Sequence, residues 1–177
     1  MPAIRTQPTP RRRLRATIER AAAAALLLLC GVAQADTVIA LNDGGLATFY
    51  LSVDVGDGAA GDYLVDTGAG FMTITEATLA RLEQAGRARF VRHIEGRLAD
   101  GRVLRVPVYL LDEIVVGGLC ALENVEAAVL PGASRGLFGL SALRRTAPFE
   151  FSVDPPSLRL SNCRPPALLT ASATPAG

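Results

Sequence analysis

Hydrophobic and polar positions alternate with a period of two along much of the chain beyond residue 46. From Ala47 to Val55 the apolar set is Phe49, Leu51, Val53 and Val55, the pattern of a half-buried strand. Gly56-Asp57-Gly58 and Gly61 mark a turn, with Asp57 as a turn residue. The short apolar strand Tyr63-Leu64-Val65 then ends at Asp66. A helical spacing follows from about Glu76 to Ala85, with Ala77, Leu79, Ala80 and Leu82 on its apolar side. Thr73 to Glu76 has capping-box spacing, Thr75 is an equally good cap, and Gly86 is a stop. Strands resume from Arg89 to Leu98 and from Arg102 to Leu111, flanking Ala99-Asp100-Gly101, whose Asp-Gly pair is a strong hairpin signal. Glu113 to Val116 meets the Gly117-Gly118 turn, and Val125 to Leu130 continues the sheet. Leu137-Phe138-Gly139 precedes a helical turn at Ser141 to Arg145. Phe149 to Val153 and Leu158 to Leu160 close the domain around Asp154-Pro155-Pro156-Ser157. No fixed-period repeat is present.

The first 35 residues break this pattern and read as a signal peptide. Six arginines make a basic n-region, Ala21 to Val32 an apolar h-region, and Ala33-Gln34-Ala35 an A-x-A cleavage site. The apolar run falls short of the roughly 20 residues needed to span a bilayer, so no stable membrane anchor is expected once Ala35 is cleaved. The competing reading is an uncleaved anchor or a buried helix. Leu29, not a small residue, precedes Cys30, which argues against lipidation. Arg12-Arg13 raises a twin-arginine route in an otherwise poor signal of that kind. The expected organisation is signal peptide 1–35, folded domain 36–163, and a Pro/Ala/Thr/Ser-rich disordered tail 164–177.

Export changes the charge and the cysteines. The 177-residue chain carries a formal net charge of +1. Removing residues 1–35 takes six arginines and Glu19, leaving 12 arginines against 16 acidic residues, a net of −4. No basic cluster remains that would suit a nucleic acid. Cys120 and Cys163 also remain, and in the periplasm or outside the cell two cysteines suggest one disulfide, the alternative being two separate buried thiols. Aromatics make up 5% of the chain and Trp is absent, so Leu, Val, Ala and Ile must build the core.

The residues that carry chemistry are Leu64-Val65-Asp66-Thr67-Gly68-Ala69. Two apolar residues deliver a carboxylate to a strand end. Thr67 can donate a hydrogen bond, and Gly68 lets backbone N–H groups approach the carboxylate. Alone, this is also the composition of a polar turn after a strand. Other constellations fit worse. In an extended strand Asp62 and Asp66 would lie about 13 Å apart, beyond the roughly 5–9.5 Å of glycosidase carboxyl pairs. His93 is the only histidine, too little for a His-bearing triad or a zinc cluster, and reads as a structural or surface residue. No metal or other cofactor is expected, and the glycines lack phosphate-loop spacing.

In context, the chain resembles the retropepsin-like aspartic proteases, particularly their exported single-domain bacterial branch. The likeness runs over about residues 37–162. It rests on Tyr63 to Ala69 with its D-T-G-A, on Ala99-Asp100-Gly101 in the place of the flap, and on Leu137-Phe138-Gly139 followed by a short helix. Val115 to Gly118 and Asn124 to Ala127 add to it. Gly70 departs from the pattern, since that family usually has a hydroxyl residue there. The resemblance implies a mostly β fold, a closed-barrel half with one or two short helices, active as a two-fold homodimer. It implies Asp66 as the catalytic carboxylate, Thr67, Gly68 and Ala69 as loop support with Thr67 bracing the two loops across the dimer, and a peptide or protein substrate. Only one D-T-G is present, and the 142 residues after Ala35 are too few for two lobes. A second carboxylate would come from a second copy. The competing class is an exported domain of this fold that binds a peptide or partner without cutting it, and a third is a structural envelope protein.

Overall fold

The computed structural model describes residues 36–57, 59–97 and 101–167. Among the described residues, eleven strands and two short helices run in the order β1 (Thr37–Ala40), β2 (Asn42–Asp43), β3 (Phe49–Asp54), β4 (Ala60–Val65), β5 (Met72–Ile74), α1 (Glu76–Gln84), β6 (Ala88–Arg97), β7 (Val103–Val116), β8 (Cys120–Val129), β9 (Gly136–Phe138), α2 (Leu140–Leu143), β10 (Phe149–Val153) and β11 (Pro156–Leu160). A single 3₁₀ turn, Arg144–Thr146, follows α2.

Six strands close a barrel in the order β3-β4-β9-β5-β8-β7, because β7 returns to β3 through Val53↔Val116 and Asp54↔Val115. β7 is long enough to serve two purposes. Its first half pairs with β6 from Val103 to Leu111, and its last residues seal the barrel. Between them the ladder with β8 is irregular. Asn124 takes φ 54°, and the Asp112 N–H bonds to the Arg87 carbonyl at 3.2 Å instead of to β8. The buried positions of β7 accordingly step by three on either side of Leu111, from Val108 to Leu111 and from Leu111 to Ile114, and by two elsewhere. The main core lies inside the barrel, where Leu51, Val53, Met72, Ile74, Leu111, Ile114, Val125, Phe138 and Leu143 have no exposed surface. A smaller cluster of Val106, Val108 and Ala128, with Phe71, Ile94, Leu104 and Leu130 against it, forms outside that core.

The terminal strands form a separate three-stranded sheet, β1-β11-β10. Its Ile39, Leu158 and Leu160 pack into the main core. Cys120, at the start of β8, and Cys163, just past β11, are joined in a disulfide with their Cα atoms 4.9 Å apart, as the two-cysteine count suggests. Closing a loop of 43 residues contributes about 4 kcal/mol in the chain-entropy account. Arg164, assigned to the tail from sequence, adds to this junction. Its carbonyl accepts from the Ala121 N–H at 2.7 Å, and its guanidinium pairs with Glu113 and Glu123. The 1–35 segment and residues 168–177 lie outside the described residues.

The mostly β fold with a closed barrel and two short helices is the one the sequence implies. The local differences have physical reasons. β8 begins at Cys120 rather than Val125, because Gly117 (φ 58°) and Gly118 (φ 69°) make a tight turn, closed by the Leu119 N–H donating to the Val116 carbonyl at 3.1 Å, that starts the return strand within three residues. A side chain at Gly117 would also strike Ile39, 2.6 Å away. Thr75 is the cap of α1, accepting from the Thr78 N–H at 3.1 Å. Only Thr78 and Leu82 of α1 are buried, and Ala77 and Ala80 face solvent. The helical turn expected at Ser141 to Arg145 begins one residue earlier and tightens to 3₁₀ at Arg144.

Candidate active site

β4 delivers Asp66. It runs antiparallel to β3 on one side and parallel to β9 on the other, with Leu64↔Leu137 and Val65↔Phe138 in register. The ladder continues one step past the strand, as the Asp66 N–H donates to the Phe138 carbonyl at 3.1 Å. The chain then turns under its own carboxylate. Gly68 N–H (2.9 Å) and Ala69 N–H (3.2 Å) both donate to Asp66 Oδ1. Oδ2 receives no hydrogen bond among the described residues. A Cβ on Gly68 would lie 3.2 Å from Oδ1, so glycine permits the close approach that the sequence argument requires. The Thr67 side chain is exposed, and Gly70 has open space where a side chain would be.

Leu137-Phe138-Gly139 packs directly behind this turn, so the two sequence motifs meet in space. Gly139 is pressed against the loop so closely that an added Cβ would lie 2.2 Å from the Phe71 carbonyl oxygen and 2.9 Å from that of Ala69. The Leu140 N–H donates to the Ala69 carbonyl at 2.9 Å. Two hydroxyls, neither identified from sequence as site residues, complete the frame. Thr73 Oγ1 accepts from the Leu137 N–H at 3.0 Å. Ser141 Oγ accepts from the Met72 N–H at 2.7 Å and donates to the Glu126 carbonyl at 2.6 Å. Both were hidden because each bridges segments tens of residues apart. β5 itself is only three residues long, between β9 and β8, too short to show a period.

Above the loop stands the β6–β7 hairpin. Ile94, Gly96 and Arg97 of β6 and Val106 of β7 form one wall of an open cleft of about 540 Å³, whose other lining includes Asp66, Phe71, Leu130 and Leu137. Gly101 lies in a bend with φ 86°. Ala99 and Asp100 lie outside the described residues. The remaining walls are mostly apolar, and among the described residues Asp66 and Arg97 are the ionisable ones lining the cleft. A larger groove of about 840 Å³ lies between β1, β3 and the Gly117–Gly118 turn. Asp54 is its one ionisable lining residue, so it lacks the convergent chemistry of the Asp66 cleft.

Asp57 adds to the sequence reading. It lies in the bend before β4, as expected, but its carboxylate has a structural partner that a turn residue does not require. Its side chain is 2% exposed, and Arg81 of α1 donates to its Oδ2 from Nε (2.9 Å) and Nη2 (2.6 Å). Oδ1 is buried without a partner. Burial, and then the negative charge of Asp57, hold the Tyr63 phenol above its ordinary range. No sequence pattern announces this pair, since the partners are 24 residues apart on a loop and a helix. His93 sits exposed on β6, its ring 5.1 Å from that of Phe90. Among the described residues no group of three or more His, Cys, Asp and Glu is placed to hold a metal ion, and no helix is long and apolar enough to cross a membrane.

Residues 53–145 match a family described as "gag-polyprotein putative aspartyl protease". That span covers more than half the chain and includes both Asp66 and Leu137-Phe138-Gly139. Among solved structures, the chain is similar to a retropepsin-like aspartic protease from Rickettsia conorii, with 23% identity, a TM-score of 0.51, and coverage of 71% of this chain and 89% of that one. At that identity the likeness concerns the fold. No curated protein matches the chain.

Proposed function

Because the chain belongs to the gag-polyprotein aspartyl protease family, we propose that it is an aspartic endopeptidase that works as a two-fold homodimer. The observation that carries this reading is Asp66. It is fixed through its backbone and Oδ1 at a strand end, its Oδ2 accepts no hydrogen bond among the described residues, and it faces an apolar cleft under a hairpin. One carboxylate cannot act as both base and acid, and among the described residues the cleft of a single chain is lined by no second one. A two-fold axis beside the loop would bring two copies of Asp66 together.

Two carboxylates about 3 Å apart cannot both ionise, so the pair shares one proton. The ionised Asp66 draws a proton from a water lying between them, and the hydroxide attacks the peptide carbonyl. The protonated Asp66 hydrogen-bonds the developing oxyanion. Proton transfer to the amine nitrogen then breaks the C–N bond and releases two peptides. The dyad titrates as a unit. Thr67, exposed beside Asp66 in one chain, would bond across the axis to its counterpart. The enzyme would act outside the cytoplasm, after cleavage behind Ala35.

The decisive experiment incubates the protein with a diverse peptide pool, with and without pepstatin, and reads new termini by mass spectrometry. Pepstatin-sensitive cleavage is expected. Asp66→Asn should lower kcat/KM about a thousandfold or more with fold and dimer kept, since Asn has nearly the same shape. Mixed dimers with one Asn should be severely impaired. Activity proportional to the fraction of wild-type subunits would mean that each chain works alone, and the shared dyad would be wrong. Binding of peptides without any cleavage would favour the non-catalytic reading.

A further inference from the structure

The cleft does not end at Asp66. Gly70 and Phe71 line it, and they also line a second crevice of about 500 Å³ that runs on past Ser141 to Arg144 and Arg145. The first compartment is mostly apolar apart from Asp66, with Arg97 on its roof. The second is cationic. Its Arg92 is matched, since both of its terminal nitrogens bond the two carboxylate oxygens of Glu126 at 2.7 Å. Arg97, Arg144 and Arg145 form no salt bridge among the described residues. Arg97 makes only a long contact with the Gly101 carbonyl, 3.5 Å. Arg145 donates to the Glu123 carbonyl, 2.6 Å, which fixes the side chain without neutralising it.

Charge along the chain follows the same division. Between residues 87 and 105 there are six arginines against Glu95 and Asp100, a net of +4, whereas the chain from Asp36 onward has a net of −4. Positive charge is thus concentrated on the hairpin that roofs the cleft. Of these arginines Arg97 lines the Asp66 cleft and Arg92 the adjoining crevice, and the positive hairpin as a whole draws anionic segments toward that side of the molecule.

We infer that the peptide taken by this site is apolar at its centre and acidic on its flanks, with Asp or Glu side chains meeting Arg97 on the roof and Arg144 and Arg145 beyond Phe71. The inference rests on the peptide-binding reading of the cleft and names its substrate class. In a two-fold dimer the crevice recurs at both ends of the cleft, so acidic residues are read on both sides of the scissile bond. The apolar walls take the central side chains. Arginine suits the flanks because its planar fork can hold a carboxylate with two hydrogen bonds.

The test uses the full chain carrying Asp66→Asn, so that binding is read without cleavage. Two fluorescein-labelled peptides share a Leu-Val-Leu-Phe centre. One has Glu in the flanks and the other has Gln in the same places. Fluorescence anisotropy at low salt should show the Glu peptide binding about tenfold more tightly, each arginine contributing a few-fold, with the ratio falling as salt is added. Adding Arg97→Glu, Arg144→Glu and Arg145→Glu should invert the preference toward a Lys-flanked peptide. The corresponding Gln substitutions should remove it, and circular dichroism checks that these exposed changes leave the fold intact. Equal binding of the Glu and Gln peptides, no binding of the Glu peptide, or a preference unchanged in the arginine variants would overturn the inference. The wild-type chain is assayed for cleavage of the same two peptides. If it cuts neither while the Asp66→Asn chain keeps the acidic preference, hydrolysis fails as the function and the acidic recognition stands.

Discussion

The loop under Asp66 and the hairpin above it face each other across one cleft, yet they are built in opposite ways. The floor is held from every side. β5, β9 and α2 are only three or four residues long, too short to be stable through their own ladders. They persist because Thr73 and Ser141 tie them together, and because Met72, Thr73, Ile74 and Phe138 are all buried. The roof has length in place of depth. β6 has ten residues and none is buried. It is the last strand of its sheet, paired on one side to β7, with a bulge at Val91 interrupting the register between Phe90 and Arg92. A strand with few buried contacts and one hydrogen-bonded edge opens locally at far lower free energy than a core strand. The comparison teaches that position is fixed below the cleft, where the proposed chemistry needs a rigid carboxylate, and left adjustable above it, where the proposed peptide would enter.

The strongest way to break this contrast is to disturb the floor's tightest contact. Gly139→Ala places a methyl 2.2 Å from the Phe71 carbonyl oxygen, a backbone atom that no rotamer change can move aside. The expected cost is about 3 kcal/mol or more, read as a lower denaturant midpoint with an unchanged m-value. An alanine tolerated within about 0.5 kcal/mol would show that the loop yields easily, and the rigid-floor picture would fail. Ser141→Ala is the next test. It leaves the Met72 N–H and the Glu126 carbonyl without their shared partner. A loss of about 2 kcal/mol is expected, with faster amide exchange at Met72.

The difference between the two regions also explains what could be read in advance. The hairpin around Asp100-Gly101 shows its period and its turn residues in consecutive positions, because its pairing is local. The delivery of Asp66 is equally plain, since two apolar residues and a glycine flank it. The floor's other parts are not legible in this way. Thr73 looks like a helix cap and instead accepts from Leu137, 64 residues away. Ser141 looks like part of a helical turn and instead bridges β5 and β8. Asp57 sits among glycines, a composition that signals a turn but not the Arg81 that holds its carboxylate. In each case the decisive partner is remote, and only the closed barrel brings it near. The disulfide lies between these extremes, because counting cysteines names the pair without locating it.

On the roof the corresponding deletion should cost little. Phe90 is 53% exposed and touches the rings of His93 and Tyr109 on the hairpin itself. Phe90→Ala should lower global stability by only about 0.5 kcal/mol, the low end for an aromatic pair. Its effect should instead be local, with faster hydrogen exchange along β6 and none at β5. A loss as large as that of Ser141→Ala would mean that the hairpin is part of the core, and the two regions would not differ as described.

The finest test concerns the strap that joins roof to wall. Arg92 on β6 grips Glu126 on β8 through two hydrogen bonds, and its guanidinium lies 5.9 Å from the centre of the Phe71 ring. Those hydrogen bonds from Arg92 hold the Glu126 carboxyl below its ordinary value of 4.5; burial opposes them, and the positive charge of Arg92 adds a smaller lowering. The sign follows from linkage. A group whose folded pKa is depressed binds protons more weakly in the folded state than in the unfolded one. Its stabilising contribution is complete above the unfolded pKa, near 4.5, and is lost as pH falls through the lower folded value. The strap should therefore be intact at neutral pH and release in acid. Because both side chains are partly exposed, the global effect should be small, and the clear readout is local. Carboxyl NMR should show Glu126 titrating below its ordinary value, with exchange along β6 quickening over the same pH interval. In Arg92→Gln, the Glu126 titration should move upward and the acid-dependent quickening should vanish. Quickening that survives in Arg92→Gln would assign the acid response to other carboxylates, and the hairpin would be held to the wall by something other than this pair.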